Sequence, residues 1–165
     1  MRELESLRIE RRLTDCRVVV GQFGGLGGVA RQIVRRLRAR GAQVVHSDDL
    51  DASRQALAAN RFEADVYIGL ETATEPTMSV AYYATEGFES VGGRQLAGLL
   101  EQGLAKLSIA AGSASGMRLP ILRETRMPAI LCTIGPVRQV ADRAPEVADA
   151  VAAAVECWIR RLPST

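Results

Sequence analysis

The feature that most constrains the fold is a strand–turn–helix–strand unit at residues 18–45, VVVGQFGGLGGVARQIVRRLRARGAQVV. The apolar run RVVV at residues 17–20 predicts a buried strand. Apolar residues then recur at helical spacing through VARQIVRRLRAR, and Gly41 is a typical helix stop. Because a helical crossover joins parallel neighbours in one sheet, the unit predicts an α/β domain.

The same alternation continues to the end of the chain. Further strands are predicted at residues 42–47, 64–71, 78–85 and 127–135. Further helices are predicted at residues 50–62, at residues 92–107 and after residue 146, whereas SIAAGSASGM at residues 108–117 predicts a loop. The expected architecture is one α/β domain over residues 17–165, with a mostly parallel central sheet flanked by helices. Residues 1–16 are expected to be an N-terminal helix or linker.

Charge and composition exclude several classes of protein. The 21 basic residues are nearly balanced by 19 acidic ones, so a nucleic-acid partner has no strong electrostatic footprint. No apolar run approaches the roughly 20 residues of a membrane span, and the N-terminus lacks the apolar core of a secretory signal. A cytoplasmic location is therefore expected. Three separated cysteines and a single histidine, His46, favour neither a disulfide framework nor a metal site.

The glycine-rich turn also fits a nucleotide-binding pattern. Gly21, Gly25 and Gly27 have the G-x3-G-x-G spacing of short-chain dehydrogenases, and Asp48 or Asp49 follows the second strand. Such glycines let a backbone approach a pyrophosphate at a helix N-terminus, while the acid binds a ribose hydroxyl. That family also needs a tyrosine with a lysine four residues later, and no tyrosine of this chain has one. A nucleotide-binding Rossmann-like domain is kept as an alternative.

A second resemblance extends over about residues 17 to 162. PILRETRMPAILCTIGP at residues 120–136 resembles the vLr-t-mPavLvElGF signature of zinc-dependent N-acetylmuramoyl-L-alanine amidases of the amidase_3 type. These enzymes cleave the bond between the sugar and the peptide of peptidoglycan. RVVVGQFGG resembles their opening strand, which ends in PGHGG, and EADVYIGLETA resembles aDlfiSIHaN. The resemblance implies the amidase_3, zinc-exopeptidase-like fold.

The same alignment implies that the catalytic centre is degenerate. An active family member holds zinc with two histidines and a glutamate, and a second glutamate moves the proton of the zinc-bound water. The histidine positions fall on Phe23 and Glu71, and the catalytic glutamate position falls on Thr133. The ligand glutamate belongs to a stretch shortened here to LGGVA, which contains no acidic residue. The expectation is a protein with no catalytic residues, no zinc and no other cofactor.

Amidase-like proteins without these ligands include the CwlM-type regulators of actinobacteria, which are cytoplasmic and act on peptidoglycan precursor synthesis. The resemblance thus implies a catalytically inactive regulatory or binding component of cell-wall metabolism. Its partner would be a protein of precursor synthesis or a cell-wall fragment, bound in a groove that includes Glu71, Arg123 and Thr133. Two alternatives assign the chain a different role. One is an active hydrolase whose metal site is rebuilt from Glu71 with Asp48 or Asp49, and the other is a purely structural interaction module.

Overall fold

The computed structural model describes residues 13–110 and 112–161, so most of the predicted N-terminal helix or linker lies outside the described residues. The strands are β1 (Arg17–Gln22), β2 (Gln43–Ser47), β3 (Val66–Thr72), β4 (Thr77–Thr85), β5 (Phe88–Glu89), β6 (Gly112–Met117) and β7 (Ala129–Gly135). The helices are α1 (Gly27–Ala39), α2 (Ala52–Arg61), α3 (Val91–Ala105), α4 (Pro120–Glu124), α5 (Val137–Asp142) and α6 (Ala144–Arg161). A short 3-10 turn, Leu13–Asp15, leads into β1.

The strands form one sheet in the order β2-β1-β3-β7-β4, and β5 and β6 both pair with β4. β2, β1, β3 and β7 are parallel, whereas β4 runs antiparallel to β7 and parallel to β6. The predicted α/β architecture with a mostly parallel sheet is therefore confirmed. Because the four parallel strands end at one edge, residues that follow β1, β3 and β7 are brought side by side.

Helices cover both faces of the sheet. On one face, alternate strand residues such as Val20 and Ile68 pack against α1, α3 and α6, where Trp158 is buried. On the other face, Val19 and Tyr67 pack against α2 and α4. β3 and β7 are apolar on both faces because a central strand of a three-layer domain is covered twice. No helix within the described residues is long and apolar enough to cross a bilayer.

The predicted loop at residues 108–117 is wrong in its second half. Residues 112–117 form β6, which pairs with β4 from Met78 to Tyr83. A β-carbon at Gly116 would lie 2.5 Å from the Ala84 Cβ, so a glycine lets the strands approach here. Small residues have low strand propensity, and this strand is specified by its fit against β4 rather than by local pattern.

Candidate functional site

Three side chains predicted for the degenerate centre meet at the carboxyl ends of neighbouring strands. Phe23 directly follows β1, and its backbone N–H donates to the Leu70 carbonyl of β3 at 3.0 Å. Glu71 and Thr133 are register partners in β3 and β7. Phe23, Glu71 and Thr133 thus form a row across three strand ends, on the face of the sheet that carries α2 and α4.

The two polar members of this row bind each other. The Thr133 hydroxyl donates to Glu71 Oε2 at 3.1 Å, and the Glu71 side chain is exposed to solvent. On the next strand, Ser79 is the register partner of Thr133 and adds another hydroxyl to the row. Sequence reasoning missed Ser79 because an alternating strand pattern does not show which neighbour it faces. The row offers one carboxylate and two hydroxyls, which bind polar groups by hydrogen bonds.

This set of side chains does not fit zinc. Protein zinc sites use three or four cysteine, histidine, aspartate or glutamate ligands, and here only Glu71 is of that kind. Phe23 instead packs its ring against the core cluster around Val19, Tyr67 and Leu131. Among residues 13–110 and 112–161, no three such ligand side chains come together in a way that could hold a metal ion.

The aspartates considered for a rebuilt site are held elsewhere. Asp48 follows β2, and its Oδ1 accepts a hydrogen bond from Gln22 Nε2 at 2.8 Å. The Nε2 atom of His46 lies 3.0 Å from the same oxygen, but in an orientation that gives no hydrogen bond. Asp49 pairs with Arg54 at 3.4 Å. Since β1 separates β2 from β3, Asp48 and Glu71 are two strand spacings apart, about 10 Å.

The side chain of Gln22 binds the backbone N–H groups of the glycine-rich turn. This buried side chain turns its Oε1 toward the turn, where it accepts the N–H groups of Gly24 at 2.7 Å and Leu26 at 3.3 Å. These are N–H groups of the kind that bind phosphate in a nucleotide cradle. Because a side chain of the same strand already occupies them, the turn does not support the nucleotide-binding alternative.

A buried polar network fixes this turn to α2. Gln55 is fully buried, and its Nε2 donates to the carbonyls of Gln22 at 3.1 Å and Asp49 at 2.6 Å. Its Oε1 accepts from the Tyr67 hydroxyl at 2.5 Å. Burial raises the pKa of the Tyr67 phenol above its ordinary value, so the hydroxyl stays a neutral donor. Sequence reasoning missed Gln55, since a glutamine in an amphipathic helix is normally solvated.

Arg123 lies apart from this row, and the groove predicted to hold it together with Glu71 and Thr133 stays a prediction. It lies on α4, which precedes β7, and lines a cavity beside Ala129, the first residue of β7. Thr133 is four residues further along the strand, about 13 Å away at strand spacing. A helix that leads into a strand lies at its amino end, whereas the row lies toward the carboxyl end.

The fold is that of N-acetylmuramoyl-L-alanine amidases. The amidase AmiC2 of Nostoc punctiforme superposes with a TM-score of 0.68 and 21% identity, over 87% of this chain and 97% of that one. The catalytic domain of CwlV from Bacillus (Paenibacillus) polymyxa var. colistinus superposes with a TM-score of 0.67 and 17% identity, over 84% and 96%. The CwlD amidase of Clostridioides difficile, solved in complex with the GerS lipoprotein, gives 0.64 and 7% identity, over 86% and 97%. No family model matches the sequence, and no curated protein does.

Proposed function

We propose that this chain is a catalytically inactive amidase-like protein that acts as a regulatory or binding component of peptidoglycan metabolism. One observation carries the proposal: the strand ends present Phe23, Glu71 and Thr133, with a single metal-ligating side chain among them. Amide hydrolysis at neutral pH on this fold needs a polarised carbonyl and an activated water. A phenyl ring, a carboxylate and a hydroxyl supply neither the metal nor the second carboxylate.

The row retains features of a binding surface. The Glu71 carboxylate is solvent-exposed, and its Oε1 is not used by the Thr133 hydroxyl, which bonds Oε2. Such a carboxylate accepts hydrogen bonds from the amide and hydroxyl groups in which muropeptides are rich. That the CwlD amidase was solved with a lipoprotein supports a protein partner equally. The proposed ligand is therefore a cell-wall fragment or a protein of precursor synthesis, and the proposed compartment is the cytoplasm.

Zinc analysis and a cleavage assay test the catalytic half of the proposal. The purified chain is incubated with zinc, freed of excess metal, and its metal content is measured by mass spectrometry. It is then incubated with muropeptides beside the amidase AmiC2 as positive control. We expect less than stoichiometric zinc and no release of peptide. One zinc per chain together with amide hydrolysis would overturn the proposal. Hydrolysis that disappears in Glu71→Ala would instead support the rebuilt-site alternative.

Binding is tested separately with a fluorescent muropeptide and with the wild-type chain as bait for proteins of precursor synthesis. If the row is the binding surface, Glu71→Ala weakens the interaction. The matched control is Glu75→Ala, which removes an exposed carboxylate in the loop after β3. An equal loss of affinity in both variants would indicate a general electrostatic effect, and the row would no longer be the proposed binding surface.

A further inference from the structure

A cavity of about 280 Å³ lies at the amino end of β7, away from the row of Phe23, Glu71 and Thr133. One wall comes from the β4–β5 hairpin, through Tyr83 and Phe88, and another from α4 and the segment that follows it. The proposed function, which rests on that row, does not use this cavity. Its chemistry follows from its lining alone.

The first wall is aromatic. The rings of Tyr83 and Phe88 are 5.9 Å apart between centroids and inclined by 52°. Phe88 is 60% exposed, although a phenyl ring gains free energy when it is covered. Met127 and Pro128 continue the apolar surface inside the cavity. A planar or apolar group placed here would cover surface that the fold leaves open to water.

The other side of the cavity is cationic. Arg123 and Arg126 line it, and no carboxylate does. Arg123 Nη2 is 3.9 Å from Glu124 Oε1, the limit of an ion pair, and Arg126 has no ion pair with any described residue. By contrast, Arg94 lies 2.7 Å from its carboxylate partner. The cavity thus holds two guanidinium groups whose positive charges are little compensated by nearby carboxylates.

Ser90 adds a neutral polar group to the lining. Its Oγ accepts the Gly93 N–H at 3.1 Å, which caps α3, and its own hydroxyl proton bonds to no acceptor within residues 13–110 and 112–161. A hydroxyl with a spare proton donates readily to an anion. Ser90, Arg123 and Arg126 can therefore all donate hydrogen bonds at the cavity.

We infer that this cavity binds a small organic anion, with its phosphate or carboxylate group held by Arg123 and Arg126 and its ring packed on Tyr83 and Phe88. Guanidinium groups bind phosphate and carboxylate through paired, charge-assisted hydrogen bonds. The cavity is just below the roughly 300–1,000 Å³ of sites for drug-sized ligands, which limits the occupant to about one ring and its anionic group. The inference of an anion site does not depend on the proposed function, and a test of one does not decide the other.

An NMR titration of the full chain with phenyl phosphate, phenylacetate and inorganic phosphate tests this inference. At least one aryl anion should shift the amide signals of Phe88, Arg123 and Arg126 saturably, and bind at least roughly tenfold more tightly than inorganic phosphate because its ring is buried. Tighter binding of phenyl phosphate identifies a phosphate ester as the ligand class, and tighter binding of phenylacetate identifies a carboxylate. No saturable shift with either aryl anion at millimolar concentration overturns the inference.

Three variants separate the two halves of the site. Arg123→Gln and Arg126→Gln should each weaken the aryl anion roughly tenfold, the usual effect of losing a hydrogen bond to a charged group. Phe88→Ala should remove the preference for an aryl anion over inorganic phosphate. The control is Arg138→Gln, an exposed arginine of α5 outside the cavity. Because all four substituted positions are exposed, all four variants should keep the wild-type fold. Equal affinities for the aryl anion in the arginine variants and in the control would contradict the assignment.

Discussion

Replacing Gln55 with leucine should lower the free energy of unfolding by about 2–4 kcal/mol, because it leaves buried polar groups without partners. Gln55 is fully buried and makes three hydrogen bonds, to the carbonyls of Gln22 and Asp49 and from the Tyr67 hydroxyl. Gln22 and Tyr67 are also buried, so each abandoned group costs about 1–3 kcal/mol. The Asp49 carbonyl lies nearer the surface and is hydrated in the variant. Burial of the apolar leucine side chain offsets the loss by about 1 kcal/mol.

Urea unfolding followed by circular dichroism measures this loss, provided that the m-value stays unchanged. Leu57→Gln on the same helix is the control, since Leu57 is 47% exposed and its replacement should change stability by less than about 0.5 kcal/mol. A loss below about 1 kcal/mol for Gln55→Leu would mean that the network is hydrated or rearranges, and the argument from burial would fail.

Three further predictions concern packing and reactivity. Phe23→Ala should lower the free energy of unfolding by about 1–2 kcal/mol in the same assay. This is less than the ~3–5 kcal/mol of a fully buried phenylalanine, because Phe23 is half-buried. No loss would mean that its ring is not part of the core. Gly116→Ala should cost about 1–3 kcal/mol, since the new Cβ meets the rigid Ala84 Cβ. In Gly112→Ala the new Cβ meets the ends of two flexible side chains, those of Met78 and Glu101, which can shift more readily, so the cost should be smaller; the reverse order would contradict the packing of β6. Burial raises the pKa of the Cys132 thiol to about 12, so at pH 8 it should react with a thiol reagent far more slowly than the partly exposed Cys157, as peptide mapping can show.

Regular elements with strong periodicity were predictable from the sequence. The apolar positions of α1, Val29, Ile33, Val34 and Leu37, are all buried against the sheet. Asp51 is a typical helix-capping residue, and its side chain accepts the Arg54 N–H at 3.1 Å at the start of α2. Helix periodicity and capping are local, so a single sequence contains them. β6 was not predictable, because GSASGM has no alternating pattern and pairs through its fit to β4.

The candidate site was predictable only in part, for a topological reason. Phe23 directly follows an apolar strand, and Glu71 and Thr133 lie within the last three residues of theirs. Parallel strands of one sheet bring such ends together. Arg123 belongs to the same sequence signature as Thr133, but it precedes the strand and therefore lies toward the other edge. The Gln22–Gln55 contacts join residues 33 apart in the chain. Pairing over that distance depends on the folded backbone, which periodicity does not describe.

The strand ends are held together by contacts among their own side chains. Gln22 occupies the N–H groups of its own turn, the Phe23 ring packs on the core, and the Thr133 hydroxyl binds Glu71. These contacts stabilise the turn and the row through groups of the chain itself. A histidine placed at position 23 would supply a single imidazole beside one carboxylate, short of the three protein ligands of a catalytic zinc site. It would also remove a packed aromatic ring from the core. Adding a metal ligand at position 23 and keeping the core packing are therefore opposed, and a zinc site at these strand ends would need several simultaneous changes.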